Sequence, residues 1–139
     1  MNKQQPQWQP ISMLPVFSEM VAGLLESSLT QLNNMRLIAD KPHILDDHTI
    51  NRMIKLYSEQ LEDHWMFEAQ FARWKQGTLS FADEKKIDRL IKLSAKLKQT
   101  NEAILKQVHA IEDKTIDNIK SMDDTELVQA MLSGELRLQ

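Results

Sequence analysis

The longest stretch of helix-favouring sequence lies in the second half of the chain. Residues 80–122 read SFADEKKIDRLIKLSAKLKQTNEAILKQVHAIEDKTIDNIKSM, without a glycine or a proline. Apolar residues fall on one side of this stretch at helical spacing, which is typical of an amphipathic helix. They are Ile87, Leu90, Ile91, Leu97, Leu105, Val108, Ile119 and Met122. The pattern predicts one long helix opening at Ser80, with a break near 99–101 or 113–115, where helix propensity is low.

Some positions of this apolar seam hold polar residues, including Ser94 and Asn101.

Two more helices precede the long one. The first is predicted from Pro15 to about Ala39, because proline suits a first helical turn and Pro42 excludes continuation of the helix. Its apolar stripe includes Met20, Leu24 and Leu25.

The second helix is predicted to begin at Asp46 or Asp47, since a carboxylate can accept hydrogen bonds from the free N–H groups of a first turn. It is predicted to end at Gly77. Its stripe is assigned to Ile50, Ile54, Tyr57, Leu61, Trp65 and Phe71, with His64 and Glu68 inside it.

A short last helix is predicted from Asp124 to Leu132. The connections between the long helices are short, and short connections make neighbouring helices antiparallel. The predicted fold is therefore an all-α, antiparallel bundle of three long helices plus a short C-terminal helix. Residues 1–12 are predicted to be a flexible tail, in which Trp8 alone is expected to dock on a folded surface, and residues 13–139 to be a single bundle domain.

Composition restricts the class of protein. The 139 residues fit one domain and contain no cysteine, which excludes disulfides, thiolate metal sites and a cysteine nucleophile. A chain without cysteine suits a reducing compartment, so a cytoplasmic location is expected. The net charge of -3 argues against nucleic acid as a partner, and no apolar run is long enough to predict a membrane span.

His64 and Glu68 are four residues apart and so share a helix face, where they could bind a metal or pair with each other. This HxxxE pair resembles one segment of the hemerythrin-type iron site. The resemblance covers five residues, because HxxxH and the ExxH pair of di-iron bundles are both absent. The alternative is a buried His–Glu hydrogen bond, or a polar pair that faces a cleft.

A second set of candidate metal ligands depends on the turn at Gly77. Residues equidistant from a tight turn lie level on the two helices, which places His48 near His109. His43 and Asp47 belong to the same end of the bundle. Imidazole and carboxylate suit zinc or another divalent transition metal, although Asp47 can equally be a helix cap.

Two further groups are candidates for interaction surfaces. Lys85, Arg89, Lys92 and Lys96 form a basic ridge opposite the apolar seam, suited to phosphates or to an acidic protein, or simply to solvent. On the second helix, the aromatic side chains of Phe67 and Trp74 lie off the stripe. They indicate either a subunit interface or a surface covered by the tail and the last helix.

The sequence contains no Gly-rich phosphate loop, no G-x-S-x-G and no H-E-x-x-H motif. The favoured function is a non-enzymatic interaction or scaffold protein that acts as a homo-oligomer. A homodimer is expected because the long helix overshoots its partners and leaves apolar surface to be covered, unless the chain is a monomer closed by its last helix. The alternative function is a metal-binding bundle that uses His48 and His109, or His64 and Glu68.

Overall fold

A computed structural model describes residues 7–115 together with Thr125, Val128, Gln129 and Leu132. All regular elements in this part of the chain are helical, which confirms the predicted all-α class. The three long helices are α1 (Leu14–Leu37), α2 (Asp47–Lys75) and α3 (Phe81–Ile111). Short 3-10 turns precede α1, connect α1 to α2 and follow α3, at Ile11–Met13, Pro42–Ile44 and Glu112–Lys114.

Side-chain caps define where α2 and α3 begin. Asp46 accepts a hydrogen bond from the N–H of Thr49 at 2.8 Å, and its interactions with Thr49 hold the pKa of this carboxyl below its usual value. Ser80 Oγ accepts a hydrogen bond from the N–H of Asp83 at 3.1 Å, as the sequence predicts. Local hydrogen bonding therefore determines the start of both helices.

The helix α3 is continuous through residues 99–101 and ends at Ile111. A 3-10 turn follows, so the break falls at the second of the two predicted places. The continuation of the seam to Ile119 and Met122 lies outside the described residues. The predicted last helix also lies largely outside them, but the four described residues between 125 and 132 are helical and exposed.

Both α1 and α2 pack along α3, whereas their backbones make few contacts with each other. The buried apolar side chains form two clusters. The hairpin-end cluster, near the α2–α3 connection, contains Leu14, Val21, Phe71, Trp74, Ile87 and Leu90. The distal cluster, at the other end, contains Leu32, Met35, Ile50, Met53, Tyr57, Ile104, Val108 and Ile111.

Between the two clusters the bundle has a polar middle layer, which we define as Ser28, Gln60, His64, Ser94 and Asn101. All but Gln60 are buried, and Gln60 is half-buried. Buried polar groups are costly unless they are paired. This layer is therefore where the core departs from simple apolar packing. No helix in the described residues is both long and apolar enough to cross a membrane.

Candidate functional site: a cavity at the polar middle layer

A groove runs between α1 and α2, because both helices pack along α3 and their backbones make few contacts with each other. At the level of the middle layer it deepens into a cavity of about 480 Å³, which we call the central cavity. Its apolar walls include Phe17, Met20, Leu24, Leu56, Phe67 and Leu97. Its polar lining includes Gln60, His64, Gln70 and Asn101, with Glu59 and Asp63 also among the lining residues.

Asn101 joins the three helices at the floor of the cavity. Its Oδ1 accepts a hydrogen bond from Ser28 Oγ on α1 at 2.7 Å, and its Nδ2 donates to Gln60 Oε1 on α2 at 3.0 Å. Only 1% of Asn101 is exposed. These two hydrogen bonds satisfy part of the amide's bonding capacity and hold the middle layer together.

His64 is the buried titratable group of this site, with 4% of its surface exposed. Burial lowers its pKa below the ordinary value, an effect partly opposed by Glu68 and Glu102 and reinforced by Lys98. Glu68 Oε1 lies 3.7 Å from His64 Nε2, which is beyond hydrogen-bonding distance. The imidazole is therefore neutral near pH 7 and packs edge-on against Phe67, with ring centroids 5.9 Å apart.

Residues 7–10, which we call the N-terminal strap, close one end of the cavity. The N–H of Gln9 donates to Gln70 Oε1 at 2.7 Å, and the carbonyl of Gln9 accepts from Gln70 Nε2 at 3.2 Å and from Trp74 Nε1 at 2.9 Å. The guanidinium carbon of Arg73 lies over the ring of Trp8, 4.7 Å from the ring centre. The docking expected for Trp8 is thus found on the chain's own α2.

The α2 side of the groove carries a stripe of residues at spacings of three and four, which we call the rim stripe. It consists of Thr49, Arg52, Leu56, Glu59, Asp63 and Met66. Its first half is basic, with Lys55 beside Arg52, and its second half is acidic. At its centre, 49% of Leu56 is exposed. A second hollow, of about 540 Å³, continues the groove along the basic half, between Gln31 and Arg52.

The residues predicted as metal ligands do not gather into one site. No group of three or more His, Asp or Glu side chains in the described residues is placed to hold a metal ion. His48 is exposed, and His109 is exposed with its Nδ1 3.3 Å from Glu112 Oε1. Asp47 accepts a hydrogen bond from the hydroxyl of Thr115. His43 is half-buried, and its buried Nδ1 makes no hydrogen bond to any residue that the structure describes.

The predicted interaction residues divide into two groups. Lys85, Arg89, Lys92 and Lys96 are all exposed on α3, and the ammonium of Lys85 lies 4.5 Å from the centre of the Phe81 ring. In contrast, Trp74 is buried in the hairpin-end cluster, and Phe67 packs against Phe17 and Phe71. Phe17 of α1 contacts both of these aromatic side chains.

The central cavity is not among the features predicted from the sequence. The polar residues in the long seam were a usable signal, because Asn101 interrupts an apolar pattern without ending the helix. Ser28 and Gln60 have no comparable signal, since their role depends on which helix faces them. The exposed stripe on α2 could have been found from its spacing alone.

Comparison with known proteins adds no relative: no family model, curated protein or solved structure matches the chain.

Proposed function

We propose that this protein is a non-enzymatic interaction protein that acts as a homodimer, in which the rim stripe of α2 packs antiparallel against the rim stripe of a second copy. The observation that carries the proposal is the symmetry of that stripe. Its positions, 49, 52, 56, 59, 63 and 66, are separated by 3, 4, 3, 4 and 3 residues. The series is the same in both directions, so two antiparallel copies match position by position.

The charges favour the same arrangement. The two-fold axis passes between residues 57 and 58, so Arg52 of each copy faces Asp63 of the other. Lys55 of each copy is level with residue 60 of the other, next to Glu59. A two-fold interface requires such self-complementarity, since residue i contacts j while j contacts i. Parallel pairing would instead bring each Arg52 against its own equivalent. Opposite charges arranged in this way select a partner and its orientation.

Leu56 supplies the apolar centre. In this pairing, Leu56 of one copy is level with Glu59 of the other, so the two leucines lie on either side of the axis. At about 1.5 Å per residue, they are separated by about 4.5 Å along the helices, close enough to pack together. Met66 of each copy is level with Thr49 of the other, at the two ends of the interface. Apolar residues flanked by charges are the usual composition of an interface centre and its border.

Charge exchange tests the proposal. Wild-type protein at about 100 μM is expected to have the mass of a dimer by light scattering coupled to gel filtration. Arg52→Asp and Asp63→Arg should each produce monomers, because each places two pairs of like charges across the axis. The double variant should regain the dimer, since it restores both opposite-charge pairs.

Lys92→Asp is the matched control, because it makes the same kind of charge change on the exposed face of α3 and should leave the dimer intact. A monomeric wild type would refute the proposed function. A dimer that tolerates both single variants would refute this pairing.

The proposal includes the finer parts of the predicted fold and location. Phe17, near the start of α1, packs on Trp74, near the end of α2, with ring centroids 5.2 Å apart. Gln31 on α1 reaches Met53, nearer the start of α2, at 3.7 Å. These contacts support the antiparallel layout. The short C-terminal helix and a cytoplasmic location are kept as parts of the same proposal.

A further inference from the structure

Beyond the dimer, we propose that the central cavity binds a small amphipathic molecule, with an apolar body and an uncharged or cationic polar head such as a hydroxyl or an amine. The proposal concerns a single copy of the chain, because Leu56, Glu59, Asp63 and Met66 of the rim stripe also line the cavity and would face the second copy in the dimer.

The volume of the cavity suits a ligand. About 480 Å³ falls within the range of roughly 300–1,000 Å³ that is common for small-molecule sites. Phe17, Leu24, Phe67 and Leu97 give it apolar walls. The sites of helical bundles are built in this way, from side chains of facing helices in the bundle interior.

His64 is the second, independent observation. It is 4% exposed, lines the cavity and makes no hydrogen bond to the described residues. A neutral imidazole offers one hydrogen-bond donor and one acceptor. A hydroxyl or amine of a bound molecule would complete this bonding. The half-buried Gln60 and the buried Asn101 lie in the same lining and direct the polar head toward the floor.

The charge of the lining selects the polar head. The described residues that line the cavity include the carboxylates of Glu59 and Asp63 and the neutral imidazole of His64, but no lysine or arginine. A carboxylate or phosphate would meet negative charge at the mouth and find no cation at the floor. An ammonium would be attracted to both carboxylates and to the faces of the aromatic rings. The site therefore favours amines and alcohols over acids.

The test uses three probes with the same chain length: octylamine, 1-octanol and octanoate. Binding is followed by NMR of isotope-labelled methionine methyl groups. Met20 and Met66 line the cavity, whereas Met35 is buried in the distal cluster and reports on unrelated changes. Octylamine and octanol should shift the signals of Met20 and Met66 saturably and leave Met35 unchanged. Octanoate should bind at least tenfold more weakly.

Two variants locate the site. Met20→Trp should weaken binding of octylamine at least tenfold, because the larger ring fills the mouth of the cavity. Leu37→Trp is its control, since Leu37 is exposed on the same helix and does not line the cavity. His64→Phe keeps an aromatic ring and removes the hydrogen-bonding nitrogens, so octanol should bind roughly three- to tenfold more weakly, with circular dichroism confirming an intact fold.

Equal binding of octanoate and octylamine would overturn the proposal, as would the absence of saturable shifts or unchanged binding in both cavity variants. The titration is repeated with Arg52→Asp, which lies outside the central cavity. Retained binding by that variant as a monomer would support the ligand site independently of the dimer. Loss of binding by the folded Arg52→Asp variant would overturn the claim that the cavity of a single copy binds the ligand.

Discussion

Replacement of Asn101 by leucine tests whether the polar middle layer is held together as described. Asn101→Leu removes two hydrogen bonds, to Ser28 and to Gln60, with a side chain of similar size. Each such bond contributes about 0.5–1.5 kcal/mol net to stability, and a buried partner left unpaired costs about 1–3 kcal/mol more. Ser28 is buried, whereas Gln60 is half-buried beside the cavity and can reach water.

The expected loss in the free energy of unfolding is about 1–3 kcal/mol. It lies below the sum of these terms because the new leucine gains from burial. Adding Ser28→Ala should then restore about 1 kcal/mol, because the unpaired hydroxyl is removed while its partner is already absent.

Urea denaturation followed by circular dichroism measures both effects. With a slope of about 2 kcal/mol per molar urea, a loss of 2 kcal/mol lowers the midpoint by about 1 M at an unchanged slope. An Asn101→Leu variant within about 0.5 kcal/mol of wild type would show that the amide carries no structural role. A double variant no more stable than Asn101→Leu alone would show that Ser28 is not its buried partner.

Three further predictions concern the strap, the core and the buried histidine. Deleting residues 1–6 should leave the melting temperature unchanged. Deleting residues 1–9 should lower the free energy of unfolding, measured by thermal unfolding, by about 2–4 kcal/mol, because three hydrogen bonds to buried α2 side chains are lost. Leu97→Ala should lower the free energy of unfolding in urea by about 2–5 kcal/mol, since Leu97 is 1% exposed. Leu61→Ala should lower it clearly less, since Leu61 is half-buried, and equal losses would contradict this packing. The pKa of His64 is lowered in the folded state. As pH falls below about 6.5, the unfolded chain therefore binds a proton at His64 before the folded chain does, and the free energy of unfolding decreases. The decrease stops once the pH is below the pKa of the folded state. Unfolding measured at pH 7 and pH 5.5 should show a smaller drop in His64→Gln than in wild type.

Helix positions followed from the sequence because they depend on near neighbours. The cap at Ser80 and the break after Ile111 involve contacts within a few residues of each other, so spacing and propensity predicted them. The direction in which each helix faces was less predictable. Trp65 was assigned to the inward stripe of α2 but is 46% exposed, whereas Trp74 is buried. Burial on a helix depends on where its neighbours lie, and periodicity alone leaves that direction free within a wide apolar arc.

The sequence by itself determined that the chain forms long amphipathic helices with polar residues set into the apolar seam of α3. Only the tertiary structure decided what those polar residues do. Asn101 meets Ser28 and Gln60 across 73 and 41 residues of chain, and a local pattern contains no information about such pairs. The groove has the same origin, because it depends on the distance between α1 and α2, which is set by how each packs on α3. A cavity is a property of three surfaces together, and no single helix encodes it.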